Sequence, residues 1–89
     1  MTSRFRAEIL TMAIPAHTGK DDILASVLTS LGEAHEVDRG DARLHRATGQ
    51  VSVRVTYQAA DLDEARHLAQ HAVQRLHVAA DVTSVKASR

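Results

Sequence analysis

The side chains with the greatest capacity for chemistry in this sequence are its histidines, of which there are six among 89 residues. His67 and His71 are four positions apart, and Glu64 stands three positions before His67. Because residues at these spacings share one face of an α-helix, the three side chains could offer ligands to a metal ion. The alternative is a solvated helix face in a segment rich in Gln and His. We therefore expect no metal or other cofactor, and name Glu64, His67 and His71 as the metal candidates.

Few other residues fit a catalytic pattern. The sequence has no cysteine, which excludes thiolate catalysis, disulfides and zinc sites of the cysteine type. It also has no glycine-rich phosphate loop and no serine nucleophile elbow. His17 could act as an acid or base near Asp21 and Asp22, but a loop histidine beside capping carboxylates is commonplace. We expect no catalytic residues and no enzymatic activity.

Nine of the eleven cationic side chains are arginines, and the formal net charge is zero. We therefore expect no general attraction to nucleic acid or to a membrane. A local attraction is an alternative, because Arg4, Arg6 and Arg54 occupy outward positions of two strands that are neighbours in the predicted sheet. These side chains could contact RNA phosphates, but the outward positions beside Arg54 hold Ser52 and Thr56, which cannot stack on bases.

An apolar series competes for the same sheet face. Beyond Glu8, the outward positions of the first strand are Leu10, Met12 and Ile14. Three apolar side chains on an open sheet predict an association surface, which a second copy could cover by face-to-face packing or by pairing of edge strands. The alternative is a register change near residue 10 that turns these side chains inward.

The first part of the chain predicts the elements that position these residues. Residues 4–14 open with alternating apolar and polar side chains, which predicts a strand with one buried face that Pro15 ends. Thr18 and Asp21 predict a helix N-cap. An apolar stripe at helical spacing follows and runs to Gly32, a residue that favours helix termination.

The middle of the chain predicts two further strands. Residues 34–46 favour a bulged or bent edge strand, and the alternative is a strand to about residue 39 followed by a long loop. Thr48 and Gly49 mark a turn. Residues 50–58 then alternate cleanly and predict a strand whose inward side chains are Val51, Val53, Val55 and Tyr57.

The last part predicts a second helix and a fourth strand. Asp61 and Glu64 form a second cap signal, and residues 81–87 predict a short strand. The apolar stripe of this helix consists of Leu62, Ala65, Ala69, Ala72 and Leu76. The order βαββαβ, with right-handed crossovers, predicts an α+β sandwich in which a four-stranded antiparallel sheet carries both helices on one face. We expect one such domain over residues 1–89.

This plan resembles the ferredoxin-like superfold. The signals in residues 18–32, 51–57 and 61–65 resemble those of small uncharacterised proteins of actinobacteria and their phages, and this resemblance implies a fold and a source without an activity. A second resemblance, to ACT domains, rests on Gly19 at the start of the first helix and implies small-molecule sensing. The Asp that usually precedes this Gly is replaced here, since His17 and Thr18 stand in its place.

These patterns together predict a cytoplasmic, non-catalytic interaction and assembly module. The polar, basic first residues and the absence of a long apolar run favour the cytoplasmic location. We expect the partners to be a second copy of the chain and another protein, with Leu10, Met12 and Ile14 as the contact residues. The alternatives are a nucleic-acid-binding module that uses Arg4, Arg6 and Arg54, and an ACT-like domain that senses a small molecule or a metal.

Overall fold

The computed structural model of the chain describes residues 3–14, 18–32 and 37–88. Its strands are β1 (Ser3–Thr11), β2 (Val37–His45), β3 (Gln50–Ala59) and β4 (Ala80–Ala87), and its helices are α1 (Lys20–Gly32) and α2 (Leu62–Gln74). The strands form one antiparallel sheet in the order β2-β3-β1-β4. The predicted α+β ferredoxin-like sandwich is confirmed. Within the described ranges, neither helix is long and apolar enough to cross a membrane.

The core lies between one face of the sheet and the two helices, and it consists almost wholly of small and aliphatic side chains. The strict alternation of β1 and β3 turns every second side chain toward the helices, as the sequence predicts. Helix α2 contributes mainly alanines, which allow its backbone to approach the sheet closely. The buried residues of the central strands are Phe5, Ala7, Ile9, Val51, Val53, Val55, Tyr57 and Ala59.

Both helices begin with a carboxylate cap, but the cap of α1 lies one residue later than the sequence pattern suggests. The backbone N–H of Gly19 donates to the Asp22 carboxylate over 3.2 Å, and the N–H of Ile23 donates to the Gly19 carbonyl over 3.4 Å. Gly19 is therefore the N-cap, and the predicted pairing of Thr18 with Asp21 is wrong. The helix ends at Gly32, as predicted.

The cap of α2 is confirmed. The Asp61 carboxylate accepts from the N–H of Glu64 over 2.8 Å, and the Glu64 carboxylate accepts from the N–H of Ala60 over 3.0 Å. The predicted apolar stripe needs one correction, because Leu62 is 37% exposed and lies outside the core. Val73, which the pattern did not include, is buried in its place.

Strand β1 ends at Thr11, three residues before the predicted end. The buried Thr11 hydroxyl accepts from the N–H of Val51 over 2.9 Å and donates to the Met12 carbonyl over 2.7 Å. The Thr11 hydroxyl thus takes the place of a main-chain acceptor for the N–H of Val51, and the backbone of β1 leaves the sheet after this residue. The N–H of Ile14 then donates to the Gly49 carbonyl, and the Ile14 side chain packs against the core.

Strand β2 is the bulged edge strand that the sequence favours. Its pairing with β3 shifts register between Val37 and Arg39, and it is then continuous from Arg39 to His45. Residues 34–36 of the predicted strand lie outside the described residues. The turn that follows contains Gly49 at a φ of +74°, which any other residue would adopt only with strain.

Candidate functional site

The structure does not assemble the metal candidates into a site. His67 and His71 are exposed on α2, whereas one oxygen of the Glu64 carboxylate accepts the hydrogen bond that caps the helix. Within the described ranges, no group of three or more His, Asp or Glu side chains could hold a metal ion. His17 lies outside the described residues. Gly19, which carries the resemblance to ACT domains, is the exposed N-cap of α1.

The predicted arginine surface divides into two parts. Arg54 lies opposite Glu8 on β1 and opposite Asp41 on β2, and its Nε atom is 3.6 Å from the Glu8 carboxylate. An acidic residue thus flanks Arg54 on each side. Arg6, by contrast, lies opposite Lys86, which the sequence analysis did not include. The cationic cluster of the open face therefore consists of Arg4, Arg6 and Lys86.

The one tyrosine is unavailable for base stacking. Tyr57 is 1% exposed on the helix side of β3, and its hydroxyl donates to the carbonyl of Ala65 on α2. Burial raises the pKa of this phenol to about 12. The residue therefore joins sheet to helix as part of the core.

The three predicted contact residues do not form a row. Leu10 is half-buried on the open face between Ser52 and Asp81, whereas Met12 lies beyond the strand end and is 58% exposed. Ile14 packs against the core instead of facing outward. The expectation of a continuous apolar series is wrong, because β1 leaves the sheet at Thr11. A contact role for Leu10 and Met12 stays a prediction.

A groove of about 660 Å³ lies on the open sheet face, and its lining is more polar than apolar, with Leu10 among its apolar members. It contains the ion pair of Arg54 with Glu8, and a hydrogen bond of 2.6 Å between His45 Nε2 and the Ser52 hydroxyl. Lys20, Asp41 and Arg43 complete the charged lining. Because both signs of charge are present and partly paired, this face is hydrated more readily than it is covered by an apolar partner.

Part of the exposed apolar surface lies at the β2 edge of the sheet, beside α1. Leu44 on β2 is 42% exposed and points to the helix side, because it lies opposite the buried Val51. Ala42, Leu24 and Leu28 are half-buried on the same side. We call this surface the β2–α1 seam; its members are Leu24, Leu28, Ala42 and Leu44.

Gly40 allows α1 to pack closely against β2. A Cβ atom at this position would lie 2.9 Å from Val55 Cγ1, 3.0 Å from Leu24 Cδ1 and 3.2 Å from Leu28 Cδ2. The two leucines of α1 therefore rest directly on the backbone of β2. The only strong sequence signals for this arrangement are the helical spacing of the leucines and the shared parity of Gly40, Ala42 and Leu44.

Comparisons with known proteins place the chain in a fold class. No protein-family model and no curated protein matches the chain. Among solved structures, an uncharacterised protein from Thermotoga maritima matches with a TM-score of 0.56 at 9% identity, over 94% of this chain and 100% of the other.

Two enzymes contain a similar fold as a minor part. A formyltetrahydrofolate deformylase from Pseudomonas putida matches with a TM-score of 0.56 at 19% identity, over 96% of this chain and 29% of that enzyme. A dinuclear metal-binding peptidase from Bacillus subtilis matches with a TM-score of 0.54 at 13% identity, over 97% of this chain and 26% of that enzyme. The chain thus spans less than a third of either enzyme, and the similarity shows the fold alone.

Proposed function

We propose that this chain is a cytoplasmic, non-catalytic interaction module that self-associates through its edge strand β2 and can also hold another protein there. The observation that supports this proposal is the β2–α1 seam, an apolar surface beside the outer edge of a regular strand. An edge strand carries a row of main-chain donors and acceptors that a further strand can pair with. The seam supplies apolar contact next to that row.

Covering the seam would contribute a modest free energy to association. Full burial of a leucine contributes about 1.5–3 kcal/mol, so covering a Leu44 side chain that is 42% exposed would contribute about 1 kcal/mol. The half-buried Leu24, Leu28 and Ala42 would add to this. Two copies related by a twofold axis would each gain the same contribution, because a twofold interface uses one surface twice.

The open sheet face is less suited to the same role. Its central positions are occupied by Arg54 and Glu8, which pair with each other, and by the hydrogen-bonded Ser52. Leu10 is the sole large apolar side chain that the described part of β1 presents there. Face-to-face packing would have to dehydrate these charges without an apolar gain of similar size.

The experiment is light scattering after size-exclusion chromatography, with the wild type compared with Leu44→Asp. We expect a dimer for the wild type and a monomer for Leu44→Asp. Leu62→Asp is the matched control, because Leu62 is similarly exposed but lies on α2, which contributes no residue to the seam. Circular dichroism checks that each variant is folded.

The outcomes separate the two candidate surfaces. A wild type that stays monomeric at high concentration contradicts self-association. If Leu10→Asp abolishes the dimer and Leu44→Asp does not, the association surface is the open face and the edge-strand proposal is wrong.

A second candidate function, nucleic-acid binding, is supported by the position of Arg6 opposite Lys86, with Arg4 nearby on β1. The test is the binding of single-stranded RNA, followed by fluorescence anisotropy across a range of salt concentrations. Phosphate contacts would give affinity that falls steeply with salt and that is reduced in Arg6→Ala and Lys86→Ala. Arg54→Ala should have less effect, since acidic neighbours flank this side chain. Absence of salt-dependent binding excludes this function.

A further inference from the structure

We infer that two copies of this chain pair antiparallel along β2, with the twofold axis at Ala42, so that two four-stranded sheets join into one of eight strands. This inference rests on the proposed function and specifies its geometry. The occupant of the β2 edge is then a second copy of the chain itself. Three independent features of β2 select this arrangement: the extent of its regular pairing, the order of its charges, and the position of Gly40.

The first feature is the regular stretch of the strand. β2 pairs with β3 without interruption from Arg39 to His45, and the bulge between Val37 and Arg39 disturbs the edge before it. Ala42 is the middle residue of this stretch. A twofold axis at Ala42 therefore places all of the regular stretch opposite its own copy, and any other axis leaves part of it unpaired. With this axis, each residue of β2 that faces the helices lies opposite a residue of the second copy that also faces the helices.

The second feature is the alternation of charge on the open face of the strand. Asp41 and Arg43 are both exposed and lie on either side of Ala42. With the axis at Ala42, Asp41 lies opposite Arg43 of the second copy, and this contact occurs twice. If the axis moves to residue 41 or 43, two identical charges lie opposite each other, which is destabilising. The charges thus favour one register over its neighbours.

The third feature is the close approach of Leu24 and Leu28 to Gly40 on the helix side. With the axis at Ala42, Leu44 lies opposite Gly40 of the second copy. Because Gly40 has no side chain, Leu24 and Leu28 of its own chain lie directly against this part of the β2 backbone. Leu44 would therefore contact the leucines of the second copy across the glycine. This contact covers the seam of both copies at once.

The other edge of the sheet does not offer the same features. β4 pairs with β1 through a register shift between the partners of Glu8 and Ile9, which divides its edge into two short runs. The runs are Ala80–Val82 and Ser84–Ala87. Bulges of this kind twist a strand and interfere with edge pairing. β2 is therefore the edge that can pair over the longer distance.

The register is tested by oxidative cross-linking, which is unambiguous here because the chain has no cysteine. Residues directly opposite each other in an antiparallel pair have Cα atoms roughly 4.5–5.5 Å apart, within the range of a disulfide. Ala42→Cys should therefore form a covalent dimer. Leu44→Cys is the matched control: its two sulfhydryl groups would be separated along the strands by roughly 13 Å, four residues at about 3.3 Å each.

A charge exchange supplies the second test. Asp41→Arg and Arg43→Asp should each weaken dimerisation at least tenfold, because each variant places like charges opposite one another. An equimolar mixture of the two variants should recover dimers, since every contact in the mixed dimer is again between opposite charges. Thermal unfolding accompanies each sample, because Asp41→Arg also places a cation opposite Arg54 within the same chain.

The failure of the register differs from the failure of self-association. If the wild type is a monomer, both the proposed function and the register are overturned. If the wild type is a dimer but Leu44→Cys cross-links as readily as Ala42→Cys, self-association stands and the axis at Ala42 is overturned. The axis at Ala42 is also overturned, and self-association again stands, if the folded variants Asp41→Arg and Arg43→Asp dimerise as tightly as the wild type.

Discussion

Tyr57 connects the pH of the solution to the stability of the fold, and its replacement by Phe provides a quantitative test of the core. The phenol is 1% exposed, and burial raises its pKa to about 12 from an ordinary value of 10.0. The folded state therefore binds this proton more tightly than the unfolded state does. The resulting stability is fully present below pH 10 and is lost as the pH rises through 12.

The size of the effect follows from the shift in pKa. A difference of about two pKa values corresponds to about 2.7 kcal/mol, which is an upper figure because local opening could hydrate the phenolate. At neutral pH, Tyr57→Phe removes the hydroxyl that donates to the Ala65 carbonyl, at a cost of about 1 kcal/mol. The wild type is then more stable at neutral pH and less stable at high pH. The two stability curves should cross near pH 11.

The assay is urea denaturation of both proteins at several values of pH, followed by circular dichroism. The two proteins share every other titratable side chain, so the difference between their unfolding free energies isolates the contribution of Tyr57. Because Tyr57 is the single tyrosine and tryptophan is absent, the absorbance of tyrosinate reports its ionisation directly. If the two proteins lose stability in parallel up to pH 12, or if folded tyrosinate forms near pH 10, the phenol is not buried as described.

Substitutions at three further positions test the packing, the capping and the surface charges of the fold. Gly40→Ala would place a Cβ atom 2.9 Å from the stiff side chain of Val55. We therefore expect urea denaturation to show an unfolding free energy that is lower by about 1–3 kcal/mol. An unchanged denaturation midpoint would contradict the close approach of α1 to β2. Asp61→Ala removes the N-cap of α2 and should lower the unfolding free energy by about 1 kcal/mol, whereas Asp61→Asn should retain most of it. Glu8→Gln breaks an exposed ion pair of 3.6 Å and should change the unfolding free energy by less than about 1 kcal/mol; a larger loss would show that this pair organises the open face.

Local patterns in the sequence were sufficient for the elements whose buried faces repeat regularly. The alternation around Val53 and Val55 fixed which side of β3 is buried, and the spacing of Ile23 and Val27 fixed the buried side of α1. These residues are determined by their own segment. The buried faces of β3 and α1 could therefore be predicted without knowing which other elements pack against them.

The features that the sequence did not predict depend on contacts between distant segments. β1 ends at Thr11 because its hydroxyl meets the N–H of Val51, 40 residues later. The α1 cap is a separate, local case: both Thr18 and Gly19 stand three residues before an aspartate, and the sequence does not show that Gly19 and Asp22 are the pair that forms the cap. Lys86 joins the cationic cluster only through the register of β4 on β1.

The seam favours the proposed association at an edge over association at a face. A core without tryptophan and with few aromatic side chains gives a domain of this size modest stability. The central strands are well covered by the helices, whereas β2 at the edge leaves Leu44 exposed and Leu24 half-buried beside a glycine. Part of the uncovered apolar surface therefore lies where a strand can still be added. Pairing at this edge would satisfy main-chain hydrogen bonds and cover the seam in one step, without dehydrating the charged open face.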